Sequence, residues 1–247
     1  MKIAVILTGH CRDFHKTFDT FKNNVFDKND VDVYFNTWDV NQNSVNREVN
    51  GHFNLPNYYV DKSSVLNKLQ PYLKNYNFES WENYEKNRFS NISFLDRPDD
   101  VFKVNERAIY HGSFWVERLR DQWWVVKKGW ELIKTPKQYD VILRIRFDIL
   151  LEEIQLIPNT FTIPASDILH KIDVQYCDYI GYGSPYMMEK YCKLFDNIQR
   201  IYTEYNFDIS HAESMLKFYM EEFENRIITN IDNTINYKLI KNGKNII

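Results

Sequence analysis

Lys2-Ile3-Ala4-Val5-Ile6-Leu7-Thr8-Gly9 opens the chain with an unbroken apolar run closed by a glycine. A short run without alternation suits a strand buried on both faces, and the glycine permits a turn. Phe14, Phe18, Phe21 and Val25 follow at helical spacing, and Val31-Asp32-Val33-Tyr34-Phe35-Asn36-Thr37-Trp38 reads as the next strand. Strand, helix and strand over this length form a β-α-β unit, which implies a right-handed crossover and a parallel sheet.

Further along, Ser113 to Ile133 reads as a helix with Trp115, Leu119, Trp123, Val126, Trp130 and Ile133 on one buried face. Pro136 stops it. A strand over 139–149 follows, then one near 178–182. A helix entered through Ser184 and Pro185 runs past Met188, Tyr191, Leu194, Ile198 and Tyr202. Another helix starts at Ser210, and 226–231 and 234–240 read as terminal strands. Residues 41–112 are expected to form an insertion beside the sheet, with short helices near 62–76 and 79–88. The whole of 1–247 is expected to be one domain, an α/β/α sandwich around a mixed, mostly parallel sheet.

The strand Tyr139-Asp140-Val141-Ile142-Leu143-Arg144-Ile145-Arg146-Phe147-Asp148-Ile149-Leu150 carries charges where a buried strand normally has none. Period-2 geometry places Arg144, Arg146 and Asp148 on one side of it. Two fixed cations and a carboxylate at a strand end suit a diphosphate and a divalent metal ion held by Asp148. An internal Arg–Asp ion pair closing the strand is the alternative.

Other candidates lie at neighbouring strand ends. Thr8, Gly9 and Arg12 precede a helix, whose free N–H groups favour phosphate, although an ordinary turn has the same residues. Thr37 and Asp39 end the second strand, where Asp39 suits a base or ribose contact or simply starts a turn. Asp178 precedes Gly181-Tyr182-Gly183 and suits a sugar hydroxyl, or a turn. His211 and Glu213 fit an acid–base role by type. Ser210-x-x-Glu213 is equally a capping box, in which Glu213 serves only the helix start.

Composition narrows the class. Of the 247 residues, 44% are hydrophobic and 16% aromatic, enough for a large, ring-rich core. A net charge of −3 without a basic tract disfavours nucleic-acid binding. Cys11, Cys177 and Cys192 lack metal spacing and suit a reducing compartment. The N-terminal run is too short to span a bilayer and lacks a signal-peptide layout, so the cytoplasm is the expected location. The sequon Asn91-Ile92-Ser93 is read as chance.

Several blocks together resemble a known group. Lys2 to Phe14, Asp32 to Asp39, Tyr139 to Asp148, Asp178 to Gly183 and His211 to Leu216 are similar, in this order, to blocks of small GT-A-type glycosyltransferases. Such enzymes occur in large DNA viruses and in bacterial surface-polysaccharide clusters. The resemblance implies a GT-A-like fold, a nucleotide-diphosphate-sugar donor, a glycan or glycoprotein acceptor and Mn²⁺ or Mg²⁺. It also implies an acidic residue near the acceptor, with Glu213 and Asp178 as candidates. The family's Asp-x-Asp metal motif stands here as Arg146-Phe147-Asp148, which leaves Asp148 as the metal contact and puts metal dependence in question. A non-catalytic nucleotide- or glycan-binding domain, and a metal-dependent nucleotidyltransferase or hydrolase, are the competing readings.

Overall fold

A computed structural model of the chain describes residues 1–11, 13–41, 58–87, 101–104, 107–110, 113–165, 176–205, 212–223, 227–232, 234–241 and 244–245. In order, these form β1 (Lys2–Thr8), α1 (Phe14–Phe21), β2 (Asp30–Trp38), β3 (Val40–Asn41), β4 (Tyr58–Tyr59), α2 (Lys62–Leu69), β5 (Leu73–Glu79) and α3 (Trp81–Asn87). Then come β6 (Val101–Val104), β7 (Arg107–Tyr110), α4 (Ser113–Glu131), β8 (Val141–Arg146), β9 (Ile149–Glu153), β10 (Phe161–Pro164) and β11 (Ile180–Gly183). The chain continues through α5 (Pro185–Cys192), α6 (Ile198–Tyr205), α7 (Ala212–Lys217), β12 (Thr229–Asp232), β13 (Asn236–Lys241) and β14 (Lys244–Asn245).

Seven strands make the central sheet, in the order β12-β10-β11-β8-β1-β2-β5. β1 pairs in parallel with both β2 and β8, and β2 in parallel with β5. β11 runs against β8 and β10, so this sheet is mixed and mostly parallel. The apolar run of β1 is buried because helices cover both sides of it. Ile3, Val5 and Leu7 join Phe14, Phe18 and Phe21 of α1 in one core, while Ala4 and Ile6 join Leu119, Trp123, Val126 and Trp130 of α4 in the other. The result is the α/β/α sandwich expected from alternating strands and helices.

Three boundaries differ from expectation. Residues 73–76 are not helical, because Leu73–Glu79 is the edge strand of the central sheet. Part of the interval read as an excursion therefore belongs to the sheet. The strand expected over 139–149 stops at Arg146, turns at Phe147 and Asp148, and restarts as β9 in a separate sheet with β13 and β14. The turn is fixed by Phe147, whose ring packs edge-on against Phe14 at 5.1 Å and whose carbonyl accepts from Thr17 Oγ1 at 2.5 Å. The helix after Pro185 breaks beyond Cys192 into a 3₁₀ turn over Leu194–Asn197, where Asn197 Nδ2 bonds back to the Lys193 carbonyl. Ser210, the expected start of a further helix, and His211 lie outside the described residues.

Gly129 sets how closely α4 lies on β1. A Cβ there would come within 2.7 Å of Ile6 Cγ2 and 3.0 Å of Thr8 Cγ2, both on branched, stiff side chains. Gly129→Ala is expected to destabilise the fold by about 1–3 kcal/mol through overpacking. A lower urea midpoint with an unchanged slope would show it. Among the described residues, no helix is long and apolar enough to cross a membrane.

Candidate functional site

From β1 the chain moves to β2 and β5, and it then returns to the other side of β1 at β8. Crossovers therefore leave in opposite directions between β1 and β8. In open sheets such a switch point opens a crevice beyond the carboxyl ends of the strands, where ligands bind. Thr8 and Arg146 are paired at that end, with Gly9 next in line. Gly9 has φ +97°, a left-handed conformation that favours glycine.

The two arginines of β8 have different surroundings. Arg144 is fully buried. Its Nε donates to Thr8 Oγ1 at 3.0 Å, and its Nη1 donates to the Asp178 carbonyl and, at 3.4 Å, to the Tyr191 hydroxyl. Its Nη2 has no partner among the described residues. Arg146, nearer the strand end, keeps 16% of its side chain accessible. Nε and Nη2 donate to Asp148 Oδ1 and Oδ2 at 2.9 and 2.7 Å, and the guanidinium lies over the Tyr179 ring at 4.7 Å. The hydroxyl of Tyr191 and that of Tyr179 are both held protonated, chiefly by burial.

Two carboxylates meet next to the arginines. Asp178 is 3% exposed. Gln122 of α4 donates to its Oδ2, and its Oδ1 is buried without a partner among the described residues. Glu213, in the first turn of α7, is close enough to feel this charge. Burial, and then the Asp178 carboxylate, push its pKa up to about 7. Tyr179 lies under the Arg146 guanidinium and senses the charges of Asp178, Arg146 and Glu213. A carboxyl titrating near neutrality is suited to taking up and releasing a proton.

The other expected residues separate into two groups. Thr37 is buried and donates to the Gly9 carbonyl at 2.7 Å, so its hydroxyl braces the β1 turn. Asp39 accepts from the Trp81 N–H at 3.0 Å and thereby caps α3. Both have structural partners away from the carboxylate pair. Arg12 and His211 lie outside the described residues. Gln122, Tyr179 and Tyr191 were not singled out from sequence, and Gln122 reaches its partner across 56 positions of chain. The three cysteines are buried, and burial raises their pKa values, to about 11 for Cys11 and about 12 for Cys177. Such thiols are poor nucleophiles.

A divalent ion does not fit the donor set at Asp148. The carboxylate is 1% exposed and both its oxygens accept from Arg146. No group of three or more His, Cys, Asp or Glu residues gathers for a metal among the described residues. The alternative of an Arg–Asp ion pair closing the strand describes this geometry. A cavity of about 650 Å³ lies at the opposite end of the sheet, lined by Met1, Tyr139, Asp140, Pro185 and Tyr186 among others. It takes in the starts of β1 and β8, away from Arg146 and Asp178.

No protein-family model matches the chain, and no curated protein matches it. Solved structures do resemble it. Among them is a crystal structure of an active-site mutant of LgtC. It is 8% identical, with 93% of this chain and 72% of that chain covered, at a TM-score of 0.44. At that score the likeness carries no weight for chemistry.

Proposed function

We propose that the chain is a glycosyltransferase moving a sugar from a nucleotide-diphosphate-sugar to a hydroxyl of a glycan. The observation that carries the reading is the Asp178–Glu213 pair, set beside Arg144 and Arg146 at the switch-point end of the sheet. The sequence resemblance supports the same reaction and supplies its context, viral or bacterial surface-glycan synthesis in the cytoplasm.

In this reading Glu213 takes the proton of the acceptor hydroxyl as the new bond from oxygen to the sugar's anomeric carbon forms. The bond from that carbon to the diphosphate oxygen breaks, and the nucleoside diphosphate leaves. Charge grows on the leaving oxygen, where fixed cations stabilise it most effectively. Arg146 is placed to contact that group, and buried Arg144 adds its field. Asp178 raises the proton affinity of Glu213, while Gln122 fixes the orientation of Asp178.

Asp178→Asn keeps the shape and removes the charge. Turnover of the preferred nucleotide-sugar with a glycan acceptor is expected to fall about tenfold, with the acidic limb of its pH profile moved to lower pH. Steady-state assays over a panel of donors measure this, with a melting curve to confirm folding. Wild-type turnover in a folded Asp178→Asn protein would remove the carboxylate pair from the reaction.

A further inference from the structure

We infer that the donor's diphosphate binds here without a divalent cation, on the edge of the Arg146 guanidinium that Asp148 leaves open. The inference rests on the function proposed above and deepens it.

A guanidinium has five N–H donors in a rigid planar fork. Asp148 takes one from Nε and one from Nη2, in the bidentate geometry that fixes an arginine most firmly. Three donors remain, including both on Nη1, and none has a hydrogen-bond partner among the described residues. Tyr179 sets the plane of the group from below. On the β1 side the neighbour is Gly9, and even an added Cβ there would stay 4.0 Å from Arg146 Cγ. The guanidinium is thus held by its side and back, with 16% of the side chain still open. Such a preorganised fork matches the oxygens of a phosphate.

Charge balance points the same way. Two carboxylates and one divalent cation sum to zero, and so do one arginine and one aspartate. Arg146 therefore replaces both the first carboxylate and the ion it would have held. An added cation would meet a carboxylate already occupied and a fixed positive charge beside it.

The test is calorimetric binding of UDP and GDP to the full chain, in chelator and in saturating Mn²⁺, with inorganic pyrophosphate as competitor. Affinity is expected to agree within about threefold between the two buffers, and Arg146→Gln is expected to weaken it at least about tenfold, the size of a lost charged contact. Arg146→Asp rebuilds an acidic pair and is expected to make binding depend on Mn²⁺, with a bound-Mn²⁺ signal by electron paramagnetic resonance that the wild type lacks. Wild-type binding that appears only with Mn²⁺ would overturn this inference and leave the glycosyltransferase reading standing. Failure to bind either nucleotide in either buffer would overturn both. The chelator comparison uses the wild-type chain alone, so it holds even if a variant misfolds.

Discussion

Glu213→Gln is expected to make the protein more stable at pH 8 and nearly inactive. Glu213 has its pKa raised from 4.5 to about 7, by burial first and by the Asp178 charge second. A raised carboxyl pKa means that the folded chain binds more protons than the unfolded chain between these two values. Stability therefore falls as pH rises from about 4.5 to about 7, and the full penalty stands above that range. The shift corresponds to roughly 3 kcal/mol. Glutamine has the same shape and no charge, so it removes the penalty. For a chain of this size the melting temperature at pH 8 should rise by roughly 6–12 °C, with little change at pH 4.5. Turnover should fall about 10²–10⁴-fold, since the base is lost. A glutamate serving only the capping box would behave differently. Its replacement would lower stability slightly at pH 8 and leave turnover intact. That pair of results would return Glu213 to the helix start.

The parts legible in sequence are those where local pattern and tertiary environment agree. β1 could be read because a strand covered on both faces needs no alternation, and Lys2–Thr8 has none. α4 could be read because its tryptophans repeat on one face. Arg144 and Arg146 stood out because charge inside a buried run demands a partner, and the structure supplies partners for both. β5 was missed because an edge strand is half exposed, and Leu73-Lys74-Asn75-Tyr76-Asn77-Phe78-Glu79 lacks a buried run. Its pairing with β2 comes from the sheet rather than from its own residues. Thr37 and Asp39 were read as nucleotide contacts, with a turn start as the alternative for Asp39, because they end the second strand. Their hydrogen bonds to Gly9 and Trp81 depend on segments brought together only in the fold. Glu213 was ambiguous for a similar reason. Its local sequence is that of a cap, while its raised pKa comes first from burial and then from Asp178, 35 positions away in the chain.

Arg144→Met is expected to be the most destabilising single change in the site. Methionine fills much of the volume but donates no hydrogen bond. Thr8 Oγ1, the Asp178 carbonyl and the Tyr191 hydroxyl would each lose a donor inside a closed core. Breaking one side of a buried charged network costs about 3–5 kcal/mol, because the remaining partners are left desolvated and unmatched. For a chain of this size that is a fall of roughly 6–20 °C in melting temperature, measured by calorimetry at pH 7. Arg144→Lys keeps a charge but replaces the fork with a point donor, so it should recover only part of the loss. Replacement by a well-packed apolar residue can be neutral where a charged network is only scaffolding. Unchanged stability in Arg144→Met would therefore mean that the three acceptors rearrange to satisfy one another. Here they sit on β1, two residues before β11, and on α5, and the guanidinium is what joins them. Losing it should loosen Asp178 from β8, and turnover should fall even at temperatures where the variant remains folded. The pH profile gives the independent readout. With Asp178 displaced, Glu213 loses the neighbouring charge that helps raise its pKa, and the acidic limb of the profile should move to lower pH.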